Sequence, residues 1–395
     1  MKLLSYLFWG MYYFPLLTSL ILGTLIYYSY RKLLLVSTRC TNKTCVITGG
    51  GHGLGLKLAK DILNLGAKQV ILWDLNPAVI TEANNLNSTI PSSQQVHSMI
   101  VDITKPEAVD HAVNEVLRLT NNKVDILINN AGIVKGKTIL ESNINEMMDT
   151  FNCNYFGHVY VTTKFLPHFI NRNQGSLVFI SSASSFLGVN KLNTYGGSKS
   201  ALFLWAEALK YELQNYNSSN NIHILSVTPF FIDTGMFRGV NTRFHHLLPI
   251  LSTSYVSKKI IESIQCRDYW LALPRIIYFV PLLRSILPTI IFDYIANILG
   301  INHSMDYFIG REPMISPKQP LSSVADSGEA TTEKQSSVIS TKNIRGNEQP
   351  FSPMNIPNIS NISSDTGLVK PSSPIQVSAT LMTQTTGEIY HQKAQ

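Results

Sequence analysis

The chain has 395 residues, of which 45% are hydrophobic and 14% charged, with a net charge of +7. That length holds one large or two ordinary domains at roughly 100–200 residues each, and no run of Lys or Arg marks a nucleic-acid surface. Four cysteines (Cys40, Cys45, Cys153, Cys266) are widely spaced with no Cys-x-x-Cys, which argues against a disulfide framework or a zinc site and fits a reducing environment.

Residues 3–30, LLSYLFWGMYYFPLLTSLILGTLIYYSY, carry no charged side chain. About 20 apolar residues cross a bilayer as a helix, so residues 1–36 are expected to form a membrane anchor. The run exceeds the roughly 7–15-residue core of a cleaved signal peptide. Lys2 precedes it, while Arg31, Lys32, Arg39 and Lys43 follow. The positive-inside rule then places the rest of the chain in the cytosol, with the basic cluster beside membrane phosphates. A hairpin dipping into one leaflet satisfies the same pattern.

From Lys43 onward, apolar strands alternate with helical patterns. Strands are expected at 44–49, 69–76, 96–104, 124–132, 176–182 and 222–229. Helical spacing occupies 54–66, 106–120, 143–170 and 195–216. Near-continuous apolar strands separated by helices mean a parallel sheet covered on both faces. The expected fold class is therefore α/β, a Rossmann-type doubly wound parallel sheet, spanning about residues 40–310. Within it, residues 271–301 are very apolar but broken by Pro274, Pro281, Pro288, Arg275, Arg284 and Asp293. They read as short helices lying on a membrane, or as helices that pack over the substrate pocket or form a dimer contact, and the two readings are compatible. Residues 311–395 are rich in Ser, Thr, Asn, Gln and Pro and read as a disordered tail.

Thr48-Gly-Gly-Gly-His-Gly-Leu-Gly55 follows the first strand and opens the first helix. Glycines there let a backbone approach a pyrophosphate, and the helix N-terminus offers free N–H groups. Gly49, Gly53 and Gly55 carry the spacing, with Leu54 between the last two. Asp74, ending the second strand, is placed to accept from a ribose 2′-hydroxyl and to repel a 2′-phosphate, which favours NAD over NADP. It could also merely cap the following turn. Asp102 is placed to meet an adenine edge or to cap the helix that begins at Pro106. His52 is expected to hydrogen-bond within its loop. His245-His246 lack Cys or carboxylate partners, so no metal site is expected.

Tyr195 and Lys199 lie at i and i+4, on one face of a helix. A free phenol has a pKa near ~10, and a nearby cation lowers it. Ser182, thirteen residues upstream, could hold a substrate oxygen beside the phenol, with Ser181 the rival serine. As an isolated pair Tyr-x-x-x-Lys is common by chance; here it follows a glycine turn and a strand-end acid.

The Thr-Gly-x-x-x-Gly-x-Gly turn (48–55), Asn129-Asn-Ala-Gly132, Ser182 and Tyr195-x-x-x-Lys199 come in the order and spacing of the short-chain dehydrogenase/reductase family, which the chain resembles over about residues 40–310. LWDLN (72–76), FNCNYFGHVYVTTKFLP (151–167), PFFIDTGMFRG (229–239) and LLPIL (247–251) resemble its membrane-bound branch, which holds the epidermal retinol dehydrogenases and 17-beta-hydroxysteroid dehydrogenase type 11. The resemblance implies Tyr195 as catalytic acid/base and Lys199 as the residue that binds the nicotinamide ribose and lowers the tyrosine pKa. It implies Ser182 as the group polarising the substrate oxygen. Asn154 is implied as support for a proton-relay water, with Asn152, or a side chain that simply bonds the helix backbone, as the alternatives. Asn130, Gly132, Pro229, Ile232 and Thr234 then line the cofactor. Two departures are Phe230, where many members have Gly, and Gly50, where Ala is usual.

The expected function is NAD-dependent oxidation of a hydrophobic lipid alcohol, all-trans-retinol before a 17-beta-hydroxysteroid or another lipid alcohol. A non-catalytic lipid-droplet surface protein is the alternative from another class. The expected setting is the endoplasmic reticulum membrane or a lipid droplet, with membrane lipid as a partner and a homodimer by analogy with the family.

Overall fold

The computed structural model describes residues 40–216 and 221–311, with short stretches at 18–19, 21–26 and 29. Apart from those stretches and Arg311, the expected anchor and tail lie outside the described residues. No helix among the described residues is long and apolar enough to cross a membrane.

A seven-stranded parallel sheet has the order β3-β2-β1-β4-β5-β6-β9. Its strands are β1 (Thr44–Thr48), β2 (Gln69–Asp74), β3 (Gln95–Ile100), β4 (Ile126–Asn129), β5 (Gly175–Ile180), β6 (Ile222–Pro229) and β9 (Trp270–Leu273). The order reverses between β1 and β4, which opens a crevice at the carboxyl ends of the strands. A separate parallel pair, β7 (Ile232–Asp233) and β8 (Leu251–Ser252), follows β6.

Helices cover both faces of the sheet. Helices α1 (Gly53–Asn64), α2 (Ala78–Asn87) and α7 (Thr253–Cys266) pack on one side, where Leu58, Ile62, Val79, Val256 and Ile260 are fully buried. Helices α3 (Pro106–Leu119), α5 (Gly157–Arg172) and α6 (Asn193–Tyr216) pack on the other, around Trp73, Val109, Phe165 and Leu202. Removing a buried ring such as Phe165 costs about 3–5 kcal/mol, because the lost burial leaves a cavity as well. Covering on both faces explains why β1 and β4 are buried at every position instead of alternating.

Most strands end two to four residues before their apolar runs do. Residues 75–76, 101–104, 130–132 and 181–182 leave the sheet and turn into the crevice. The expected helix at 143–170 is broken. Helix α4 (Ile144–Phe151) starts with a capping box between Asn143 and Glu146, then a π-helical turn, Asn152–Phe156, precedes α5. Such wide turns insert a residue into a helix and re-aim its side chains.

The apolar segment 271–301 is not wholly helical. Residues 271–273 belong to β9, which pairs with β6 from Trp270↔Ser226 to Leu273↔Pro229. An edge position on the sheet overrides the helical reading there. Beyond it, a 3-10 turn (Arg275–Tyr278) leads into α8 (Phe279–Ile286) and α9 (Thr289–Ile298), which Pro288 separates.

Candidate active site

The carboxyl ends of the strands open into a cavity of about 1340 Å³. Gly49, Gly53, Leu54, Asp74, Asp102, Asn130, Gly132, Ser182, Tyr195, Lys199, Pro229, Ile232 and Thr234 all line it. Of the site residues expected from the sequence, Gly55 and Asn154 stand behind its wall.

The glycine turn explains the Gly55 position. A Cβ on Gly55 would overlap the Gly49 carbonyl, and one on Gly49 would press on the Ala131 backbone. Gly49 and Gly53 adopt φ of 63° and 56°, which side-chain-bearing residues avoid. The turn is tied to β4 because Asn130 Nδ2 donates to the carbonyls of Thr48 (3.0 Å) and Gly49 (3.1 Å). Thr48 Oγ1 in turn accepts from the amides of Asn130 and Ala131. Helix α1 begins without a side-chain cap and without an acid in its first turn. Its N–H groups and positive dipole end are therefore free for an anion.

Asp74 is buried. Its Oδ2 accepts from the Gly51 amide at 2.9 Å and faces His52 Nδ1 at 3.1 Å, while Oδ1 accepts from the Asn76 amide at 3.0 Å. Burial alone would raise its pKa, but the His52 bond and the two amides together hold it below the ordinary carboxylate value. The carboxylate thus caps its own turn and also lines the cavity. His52 bonds across to β2 and not within its loop, because the turn folds back onto the strand end. Asp102 Oδ1 accepts from the Thr104 amide and hydroxyl at 2.9 and 2.7 Å, whereas the N-cap of α3 is Lys105.

Ser182, Tyr195 and Lys199 meet at the wall beyond the glycine turn, all buried. Ser182 Oγ faces the Tyr195 phenol and accepts from the Ser184 amide at 3.2 Å and the Ser184 hydroxyl at 2.9 Å. The rival Ser181 is committed elsewhere, its hydroxyl donating to the Lys199 carbonyl at 2.7 Å. Lys199 Nζ donates to the Ile180 carbonyl at 2.8 Å and lies 5.9 Å from the Tyr195 ring centre. Desolvation lowers its pKa to about 8. Burial pushes the Tyr195 phenol up to about 12, with the neighbouring Ser182 hydroxyl opposing. In the protein's own field, burial of the phenol thus outweighs the influences that lower its pKa.

Asn154 lies in the π-helical turn and is fully buried. Its side chain accepts from the Ile133 amide at 2.8 Å and donates to the Ile133 carbonyl at 2.9 Å and to Ser198 Oγ at 3.1 Å. It ties the segment after β4 to the helix that carries Tyr195 and Lys199. His158, buried beneath the same segment, is within 2.8 Å of the Ala131 carbonyl, and desolvation lowers its pKa to about 3, so it stays neutral.

Beyond Tyr195 the cavity is apolar. Phe237 packs edge-on to the Tyr195 ring at 5.7 Å. Phe230, Phe231, Leu187 and Val189 continue the wall, and α8 and α9 close it with Val280, Leu283, Phe292 and Ile295, joined by Leu299 just past α9. The outer faces of these two helices are exposed: Ile286 is 68% and Ile290 79% accessible. Two features were not visible in the sequence. One is the His52–Asp74 contact; the other is Arg311, which lines the cavity from the end of the described chain.

A doubly wound sheet with a glycine turn at its switch point and a Ser-Tyr-Lys cluster beside it defines a dinucleotide-dependent oxidoreductase. The short chain dehydrogenase family model matches residues 43–244. Epidermal retinol dehydrogenase 2 of Mus musculus is 38% identical over 267 residues, covering 68% of this chain and 85% of that protein. Short-chain dehydrogenase/reductase family 16C member 6 of Bos taurus is 33% identical over 303 residues, covering 75% and 94%. Among solved structures, a short-chain dehydrogenase/reductase from Burkholderia phymatum in complex with NAD has a TM-score of 0.55 at 23% identity, covering 62% of this chain and 94% of that one. One from Burkholderia cenocepacia in complex with NADP has a TM-score of 0.52 at 18% identity, covering 65% and 98%. The chain belongs to the short-chain dehydrogenase family and is an oxidoreductase acting on CH–OH groups.

Proposed function

We propose that the protein oxidises the hydroxyl of a hydrophobic lipid alcohol with NAD, all-trans-retinol being the first candidate. One observation carries the reading: Ser182, Tyr195 and Lys199 converge where the glycine-lined half of the cavity meets its apolar half. The residues present fit a dinucleotide. A turn that excludes Cβ atoms lies before an uncapped helix N-terminus, and a buried carboxylate ends the next strand. Gly49, Gly53, Leu54, Asn130, Gly132, Pro229, Ile232 and Thr234 would hold it, and when bound it supplies the hydride acceptor.

The alcohol oxygen sits between Ser182 Oγ and the Tyr195 hydroxyl. Tyr195 takes the hydroxyl proton as a phenolate, acting as general base. Ser182 donates to the oxygen as it becomes a carbonyl oxygen. The Lys199 ammonium, held by the Ile180 carbonyl, offsets the negative charge on the phenolate. Asn154 acts by position, fixing Ile133 and Ser198. Asp74 favours NAD, since a 2′-phosphate beside a buried carboxylate is repelled. Asp102 stands at the adenine side.

The apolar wall of α8 and α9 supports a lipid substrate, and relatives at 33–38% identity, one of them named a retinol dehydrogenase, support a retinoid. The charge-free run at 3–30 and the exposed outer faces of α8 and α9 support attachment to the endoplasmic reticulum membrane or a lipid droplet, with the catalytic domain in the cytosol. The test is NADH and NADPH formation in detergent with a panel of retinoids, steroids and other lipid alcohols. Turnover of a retinoid with NAD is expected. No turnover of any lipid alcohol, or preference for NADP, contradicts the reading.

A further inference from the structure

The last described residues bring a cation to the cofactor end of the cavity. After α9 the chain turns at Gly300, where φ is 73°, and runs back across the site. Met305 is fully buried in a cluster with Tyr195 and Phe231. The Tyr307 carbonyl lies so close to Gly239 that a Cβ there would overlap it. The amides of Ile309 and Gly310 both donate to the Arg238 carbonyl, at 2.9 and 3.1 Å. Residue 311 is thereby fixed beside the segment that starts at Thr234. The Thr234 side chain in turn stands against Gly53 of the glycine turn.

Arg311 lines the cavity at its solvent-exposed mouth. Asp74 is the charge that acts on it, and it has no hydrogen bond or ion pair to another described residue. The other cations here are placed differently. Lys199 is spent on the Ile180 carbonyl, and His52 is spent on Asp74. Lys105 also lines the cavity, as the N-cap of α3, and carries an ammonium instead of a guanidinium fork. A pyrophosphate resting on α1 would meet neutral N–H groups and a dipole end, with a single unspent guanidinium within the same wall. Guanidinium forks bind phosphate oxygens with paired charge-assisted hydrogen bonds.

We propose that Arg311 binds the pyrophosphate of the dinucleotide, delivered across the cavity mouth by residues 300–311. This rests on the reading that the cavity takes a dinucleotide. The test uses the full chain without any alcohol and measures binding of NAD, NADP, ADP-ribose and adenosine by calorimetry. Arg311→Gln is expected to weaken the first three alike, by about ten- to a hundredfold, the range of a lost charge-assisted contact. Adenosine, which has no phosphate, is expected to bind as before, and Arg311→Lys to retain most of the affinity. An unchanged melting temperature in both variants shows that the fold is intact. Unchanged NAD affinity in Arg311→Gln overturns the proposal alone. A loss confined to NADP also overturns it, because the cation would then read a 2′-phosphate. A wild-type protein that binds no dinucleotide overturns both this and the reading beneath it.

Discussion

The Lys199 ammonium donates to the carbonyl of Ile180, the last residue of β5, at 2.8 Å. This bond fixes the charge beside Tyr195 while leaving it desolvated. Two titrations follow. Lys199, lowered to about 8, keeps its charge below that pH and loses it above. Tyr195, pushed up to about 12, is a neutral phenol at neutral pH, and its phenolate fraction grows tenfold per pH unit. Oxidation should therefore rise with pH up to about 8 and rise less steeply beyond, as the cation is lost. In Lys199→Met the break near 8 should vanish, and kcat should fall about 10²–10⁴-fold. The Ile180 carbonyl would also lose its donor, costing about 1–3 kcal/mol of stability. A pH profile of kcat with a paired unfolding curve reads both.

Asp74→Asn should raise NADP use relative to NAD, because the buried negative charge that opposes a 2′-phosphate is gone. Competing NAD and NADP in one assay measures the ratio. A stability effect accompanies it. The Asp74 pKa is lower folded than its ordinary 3.8, so its stabilising contribution is complete above that value and is lost as the pH falls through the folded one. Asp74→Asn should thus be less stable than wild type at neutral pH, and the gap should close in acid.

Asn154→Ala removes three hydrogen bonds that hold Ile133 and Ser198. The amide and carbonyl of Ile133 would lose these partners at a cost of about 1–3 kcal/mol or more. Because the Asn154 side chain does not line the cavity, the expected kinetic sign is a lower kcat with a smaller change in the KM for the alcohol. Thermal unfolding and steady-state kinetics on the same sample check this.

Ile286→Glu with Ile290→Glu changes two exposed positions, so the fold should lose no more than about 0.5 kcal/mol for each. If α8 and α9 meet lipid, the KM for retinol presented in vesicles should rise. Turnover of a water-soluble alcohol should stay the same. Equal KM values for vesicle-borne retinol would show that this face does not receive the substrate.

Much of the site could be read in the chain because its parts are local. The glycine turn needs Gly49, Gly53 and Gly55 at fixed spacing, and Tyr195 and Lys199 share a face by helical periodicity alone. The apolar pattern runs past the strand ends because Val101, Ile103 and the Asn129-Asn-Ala-Gly132 stretch look the same in composition inside the sheet and just beyond it. Residues 271–273 merge in the sequence with the helices after them, since a short apolar run carries no period that separates a strand from a helix. The π-helical turn at Asn152–Phe156 arises where Asn154 reaches Ile133, a contact across 21 residues that no local pattern encodes. Arg311 and the His52–Asp74 contact were hidden for the same reason: each is made by chain segments distant in sequence.

The most direct test of the account compares wild type and Tyr195→Phe for NADH formation from all-trans-retinol, with NAD affinity measured on both. NADH formation by the wild type is expected, with a loss of at least about 10²–10⁴-fold in the variant at unchanged NAD affinity. Equal rates in the two proteins would contradict it.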